Sequence, residues 1–129
     1  MAPIRNKSVL VINDDMGMLR ALTNVLISEG CLVTSAAKPR AAMNHLTDKG
    51  RLFDLILTDL RMPDLDGMIL LKAVRAAYGD VPVIIITAFG SPETKAEALR
   101  RGAFEFLEKP LDTAQLIDAM RRALMTQPG

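Results

Sequence analysis

A layered α/β domain, with a parallel sheet covered by helices on both faces, is predicted by three features of this sequence. Short apolar runs rich in β-branched residues alternate with segments of helical spacing. Glycines recur where the helical segments stop, and the apolar runs stay apolar along their whole length instead of alternating with polar residues. Continuous apolarity marks strands buried on both faces, which in a strand–helix alternation means a parallel sheet.

The strands fall at 9–12, 32–34, 55–58, 83–87 and 104–107, each a short run bounded by turn-forming residues. Between and after them lie helices. The first rests on Met18, Leu19, Leu22, Val25 and Leu26, the second on Ala42, Met43 and Leu46, and the third on Ile69, Leu70, Ala73 and Val74. The last has Leu116, Ile117, Met120, Ala123 and Leu124 on one face, the spacing that buries one stripe of a helix. The fourth, 92–101, carries mostly alanine and a single large aliphatic, Leu99, on its inner side. It should be weakly anchored.

Boundary residues agree with this reading. Gly30, Gly50, Gly79 and Gly102 each follow a helical segment, where a left-handed C-terminal cap is expected. Ser91 before Pro92 suits an N-cap and first helical position, and the run DTAQ from Asp112 resembles a capping box opening the last helix.

At 129 residues the chain is one domain, long enough to bury about two-thirds of its unfolded surface without disulfides or a structural metal. Half of it is hydrophobic, with no tryptophan, 4% aromatic residues and eight methionines, so the core is aliphatic with methionine as adaptable filler. A net charge of +1 argues against a polyanion-binding surface. Arg100, Arg101, Arg121 and Arg122 fall in the last turns of helices, where cations complement the macrodipole without any need for nucleic acid. Cys31 is the single cysteine, so no internal disulfide is possible, and its flanks EGCLVTS suit a small buried strand residue. The N-terminal apolar run is too short for a signal peptide, and nothing approaches the roughly 18 apolar residues that cross a bilayer. A cytoplasmic location without membrane contact is expected.

Function concentrates at the strand ends. Open α/β sheets bind ligands beyond the carboxyl ends of their strands. There the first strand delivers Asp14 and Asp15, the third Asp59, the fourth Thr87 and the fifth Lys109, just before Pro110. Like charges about 4 Å apart repel by about 4 kcal/mol at an effective dielectric of about 20, so acids converging on one rim call for a cation. Hard oxygen ligands in an incomplete cage favour Mg²⁺ over Zn²⁺. His45 and Cys31 have no partners with metal-ligand spacing, and no glycine-rich phosphate loop follows the first strand. Taken singly, each residue has a plainer role: Asp15 as an N-cap, Asp59 and Asp66-Gly67 as turn formers, Thr87 as a strand terminus, Lys109 as a surface charge. Together they gain weight, because independent turns have no reason to share a rim. Asp54, Asp64 and Asp66 keep the plainer reading.

The motifs VINDD with Asp14 and Asp15, LTDLRMPDLDG around Asp59, IITAFG with Thr87 and FLEKP with Lys109 resemble the receiver domain of two-component response regulators. The resemblance implies a doubly wound, flavodoxin-like (βα)5 domain with a five-stranded parallel sheet in order 2-1-3-4-5. It implies that Asp59 accepts a phosphoryl group from a histidine kinase or phosphotransfer protein. It further implies that Asp14, Asp15, Asp59 and the main-chain carbonyl of Arg61 hold Mg²⁺, and that Thr87 and Lys109 contact the phosphoryl oxygens. Phosphoryl transfer asks a protein mainly for positioning and positive charge, which suits these assignments. Thr87 and Phe106 match the family's switch pair. With no hydroxyl to hold it toward water, the Phe106 ring should be biased inward even before phosphorylation. The fourth helix, fifth strand and fifth helix would form the responsive face, on which homodimers are possible, and Arg61 and Phe89 stand where the family tunes the lifetime of the acyl phosphate. The resemblance also implies a cis peptide between Lys109 and Pro110.

The receiver is expected to span 7–125, with 1–6 as an N-terminal extension and 126–129 as a tail or the start of a linker. In texture it is most similar to receivers that precede AAA+ or helix-turn-helix output domains in transcription regulators. It would be no enzyme in the ordinary sense, only an acceptor that assists its own phosphorylation and dephosphorylation. Two rivals remain: a phosphorylation-independent interaction scaffold, and a metal-dependent aspartyl phosphatase. The phosphatase would want a second acid two residues after its nucleophile, where this chain has Arg61.

Overall fold

The computed structural model describes residues 5–48, 52–62, 65–88 and 90–125, with the main chain alone at 39, 61, 65, 66 and 78. Five strands, β1 (Ser8–Ile12), β2 (Leu32–Ala36), β3 (Leu55–Thr58), β4 (Val83–Thr87) and β5 (Glu105–Glu108), form one parallel sheet in order 2-1-3-4-5. Five helices connect and follow them: α1 (Met16–Ser28), α2 (Pro39–Thr47), α3 (Gly67–Tyr78), α4 (Pro92–Arg100) and α5 (Thr113–Met125). This is the flavodoxin-like fold expected from the sequence.

Strand alternation divides the core in two. Val9, Val11, Leu55, Leu57, Ile84, Ile86 and Leu107 point to one face, where Leu19, Leu22 and Leu26 of α1 and Leu116, Met120 and Leu124 of α5 cover them. Leu10, Ile12, Ile56, Val83, Ile85 and Phe106 point to the other, under Ala42 and Leu46 of α2, Leu70, Leu71 and Val74 of α3 and Ala98 of α4. The period of two along each strand sends neighbouring side chains to opposite layers, which is why both faces need helices.

Two helix-face expectations need correction. Ile69 is 62% exposed, and Leu71 takes the inner position with Leu70 and Val74. The inner side of α4 carries Ala98, while Leu99 is 43% exposed. The fourth helix is therefore seated by a methyl group instead of a leucine, an even lighter anchorage than the sequence suggests. Its N-terminus is well made all the same. Ser91 Oγ accepts from the Thr94 amide at 3.1 Å and Thr94 Oγ1 accepts from the Ser91 amide at 2.8 Å, a reciprocal cap.

Helix ends follow the glycines. Gly30, Gly79 and Gly102 adopt positive φ, as left-handed caps require; Gly50 lies outside the described residues. Asp112 Oδ1 accepts from the Ala114 amide at 2.9 Å at the start of α5. Cys31 is buried just ahead of β2, and burial, reinforced by the nearby Glu29 charge, pushes its thiol pKa up. The arginines at helix ends pair with acids: Arg100 and Arg101 with Glu97, Arg121 with Glu29, and Arg122 with Asp118 and Glu105. Among the described residues no helix is long and apolar enough to cross a membrane.

The contrast between buried and exposed leucines gives a direct test. In urea unfolding, Leu71→Ala should lower stability by about 2–5 kcal/mol, whereas Leu99→Ala should change it by no more than about 0.5 kcal/mol.

Candidate functional site at the carboxyl rim of the sheet

Because all five strands run the same way, their carboxyl ends share one rim. β1 and β3 are adjacent, with Ile12 beside Thr58 in register, so the residues that follow, Asn13-Asp14-Asp15 and Asp59, leave the sheet side by side. The Asp59 amide donates to Ile12 O at 3.1 Å and ties the two exits together. β4 ends beside β5, with Thr87 opposite Glu108, and the Lys109 amide donates to Thr87 O at 2.9 Å. Thr87 is fully buried.

Asp59 is only 6% exposed. Its Oδ2 lies 3.3 Å from Lys109 Nζ, which reaches across from the end of β5. The Lys109–Pro110 peptide is cis. At this separation the attraction amounts to about 5 kcal/mol at an effective dielectric of about 20, while desolvating the two ions costs several kcal/mol each. The pair is therefore a poor device for stability, and a burial of this kind points to another use.

The acids of β1 are arranged differently. Asp14 and Asp15 are exposed, and Asp15 caps α1, its Oδ1 accepting from the amides of Gly17 at 3.0 Å and Met18 at 3.2 Å. Its plainer role as an N-cap is thus real. It does not exclude metal binding, since a carboxylate has lone pairs beyond those two bonds. Among the described residues no group of three or more acidic, histidine or cysteine side chains is gathered closely enough to hold a metal ion. Mg²⁺ is ordinarily held by one or two carboxylates with the remaining positions left to water and phosphate. Asp59 and an acid from β1 match that need in donor type and in their place at the strand ends, and the Arg61 carbonyl matches it in donor type. Phe89 and Asp64 lie outside the described residues.

Three positioning residues escaped the sequence reading. Asn13 is buried, and its Oδ1 accepts from the Asp15 amide at 2.9 Å, a local turn that sets where the two acids leave β1. A two-stranded hairpin, Arg61–Met62 against Leu65–Asp66, folds the chain back after Asp59. It returns Gly67 to the rim, where the Gly67 amide donates to Leu60 O at 2.7 Å. A Cβ at Gly67 would meet Asp59 O and Leu60 Cα, both at 2.8 Å. Backbone cannot swing aside as a side-chain end can, so only glycine fits. Gly90 makes a comparable close approach, to Phe106 and Glu108. The Asp-Gly dipeptide was readable as a turn, but its contact with the main chain around Asp59 leaves no mark in the pattern.

Comparison with known proteins agrees with this fold. Residues 9–121 match the model of the response regulator receiver domain. The chain is 39% identical over 119 residues to the transcriptional regulatory protein ZraR of Escherichia coli O157:H7, covering 92% of this chain and 26% of that protein. It therefore spans about a quarter of the length of the curated relatives it matches. Among solved structures, a response regulator receiver domain protein from Clostridium thermocellum superposes with a TM-score of 0.86 at 29% identity, covering 92% of this chain and 94% of that one. The beryllofluoride-activated NtrC4 receiver domain dimer gives 0.84 at 32% identity, with 92% and 96% covered.

Gly67→Ala should cost about 1–3 kcal/mol in urea unfolding, the usual range for overpacking, and should shift the backbone amide resonances of Asp59 and Leu60 more than those of residues on β2.

Proposed function

The chain belongs to the response regulator receiver domain family, and on that premise we propose that Asp59 is its phosphoacceptor. The observation that carries the reading is the buried Asp59 carboxylate facing Lys109 Nζ at 3.3 Å on the carboxyl rim. An Asp59 oxygen attacks the phosphorus of a partner's phosphohistidine, the phosphorus–nitrogen bond breaks, and the imidazole leaves with the electron pair. The product is an acyl phosphate on Asp59.

The chain's own groups supply position and charge. Burial keeps water from the carboxylate, while Lys109 offers an ammonium to the developing phosphoryl charge and fixes the side of approach. Thr87, at the end of the neighbouring strand, offers its hydroxyl to a phosphoryl oxygen. Asp14, Asp15, Asp59 and the Arg61 carbonyl would hold Mg²⁺, which when bound neutralises the phosphoryl oxygens. Lys109 is released from Asp59 as the phosphoryl group takes over its ammonium. The same site assists loss of the phosphoryl group to water, so the domain acts as a timed acceptor and not as a turnover enzyme.

The responsive face is α4, β5 and α5. It is supported by the light anchorage of α4 through Ala98 and by the burial of Phe106, 4% exposed, on the strand next to that of Thr87. The donor is a sensor histidine kinase or phosphotransfer protein in the cytoplasm, and the output is regulation of transcription through a longer protein or partner. Homodimerisation is supported by the dimer named for the NtrC4 receiver, and the responsive face is the surface proposed for it. The receiver unit occupies 7–125.

Incubation with acetyl phosphate and Mg²⁺ should add one phosphoryl group to the wild type by intact mass and none to Asp59→Asn; omission of Mg²⁺ should abolish the gain. Amide exchange with and without beryllofluoride should change across 92–107 and stay level across β1 and β3. Uniform exchange across 92–107 would remove the switch assignment.

A further inference from the structure

Gly90 lies in the segment between β4 and α4, three residues after Thr87. A Cβ at this position would stand 2.8 Å from both Cγ and Cδ of Glu108 and 3.0 Å from Cε1 of Phe106. Thr87, Phe106 and Glu108 project from one face of the sheet: Val83 and Ile85 point into the α2–α4 layer with Phe106, and the period of two carries Thr87 and Glu108 to the same side. Register places Thr87 opposite Glu108 and Ile85 opposite Phe106. The main chain at Gly90 thus roofs the Phe106 ring and rests against the stem of Glu108.

The two contacts differ in stiffness. Glu108 is exposed and presents the end of a flexible side chain, so it can swing away. The Phe106 ring is held within a close-packed layer and cannot yield without disturbing its neighbours. A side chain at position 90 would meet both groups. Its effect would be steric and would fall on the ring.

We propose that Gly90 is a positioning residue of the switch: lacking a side chain, it lets its own main chain seat directly on the Phe106 ring, so that Gly90 and the ring move as one body. The proposal rests on the reading of Asp59 as phosphoacceptor for what drives the movement. A methyl group at position 90 separates that main chain from the ring and uncouples the responsive face from Thr87.

The test is titration of beryllofluoride and Mg²⁺ into the wild type, Gly90→Ala, Gly90→Ser, Phe106→Ala, Glu108→Ala and the two double variants with Gly90→Ala, with urea midpoints confirming that each is folded. Gly90→Ala should weaken beryllofluoride binding about tenfold and shift the Phe106 ring resonances already in its absence. Gly90→Ser, which presents the same Cβ, should behave alike. In the Phe106→Ala background the substitution should lose most of its effect; in the Glu108→Ala background it should keep it. Unmoved ring resonances, an undiminished effect without the ring, or rescue by Glu108→Ala would overturn the proposal. A wild type that takes up no beryllofluoride would sink the Asp59 reading and the coupling with it, an outcome distinct from one in which wild type and Gly90→Ala respond equally.

Discussion

The buried Asp59 carboxylate and the Lys109 ammonium opposite it form the interaction on which the rest of this molecule turns. They are 50 positions apart in the chain, and only parallel topology brings them together. Every crossover returns the chain to the same starting edge, so every strand ends on the same rim. The two-layered aliphatic core pays for this arrangement. It holds β1, β3, β4 and β5 in a fixed register so that a pair of little net value to stability can persist at their ends.

Around that pair, the relief of like charge takes a form that the sequence did not reveal. Asp15 turns to the amides at the start of α1, Asp14 stands exposed, and Asp59 faces lysine. The acids share a rim without forming a tight cluster. The positive end of the helix dipole and a lysine each stabilise a carboxylate, so like charge on the rim is relieved by groups of the chain itself.

Strand ends were legible because burial on both faces forces continuous apolar runs, and β3 and β4 appear with the expected bounds. β2 runs two residues further than expected, since it is an edge strand with exposed, polar positions at Ser35 and partly buried Thr34 that break the apolar run. Leu99 misled because, on a short helix, hydrophobicity marks the inner face only when small residues are not already filling it, and Ile69 because it stands in an unbroken aliphatic run with Leu70 and Leu71. Ala98 could not be told from a solvent alanine, and three adjacent aliphatics leave the phase of α3 undetermined by hydrophobicity alone. Asn13 and Gly90 were silent, and Gly67 showed only as a turn former, because hydrophobic patterning does not record a side-chain amide that shapes a local turn or a glycine that admits a close approach. The roles of Asp59, Thr87 and Lys109 came from motif resemblance; their shared rim came from topology, and the Asp59–Lys109 contact came only from the structure.

The identity of the residue that carries the phosphoryl group tests the account most directly. After reaction with acetyl phosphate and Mg²⁺, borohydride reduction converts an aspartyl phosphate to homoserine, which peptide mass spectrometry reads at a single position. The account predicts homoserine at position 59 and nowhere else. Unmodified Asp59, or label retained on a serine, threonine or histidine, would contradict it.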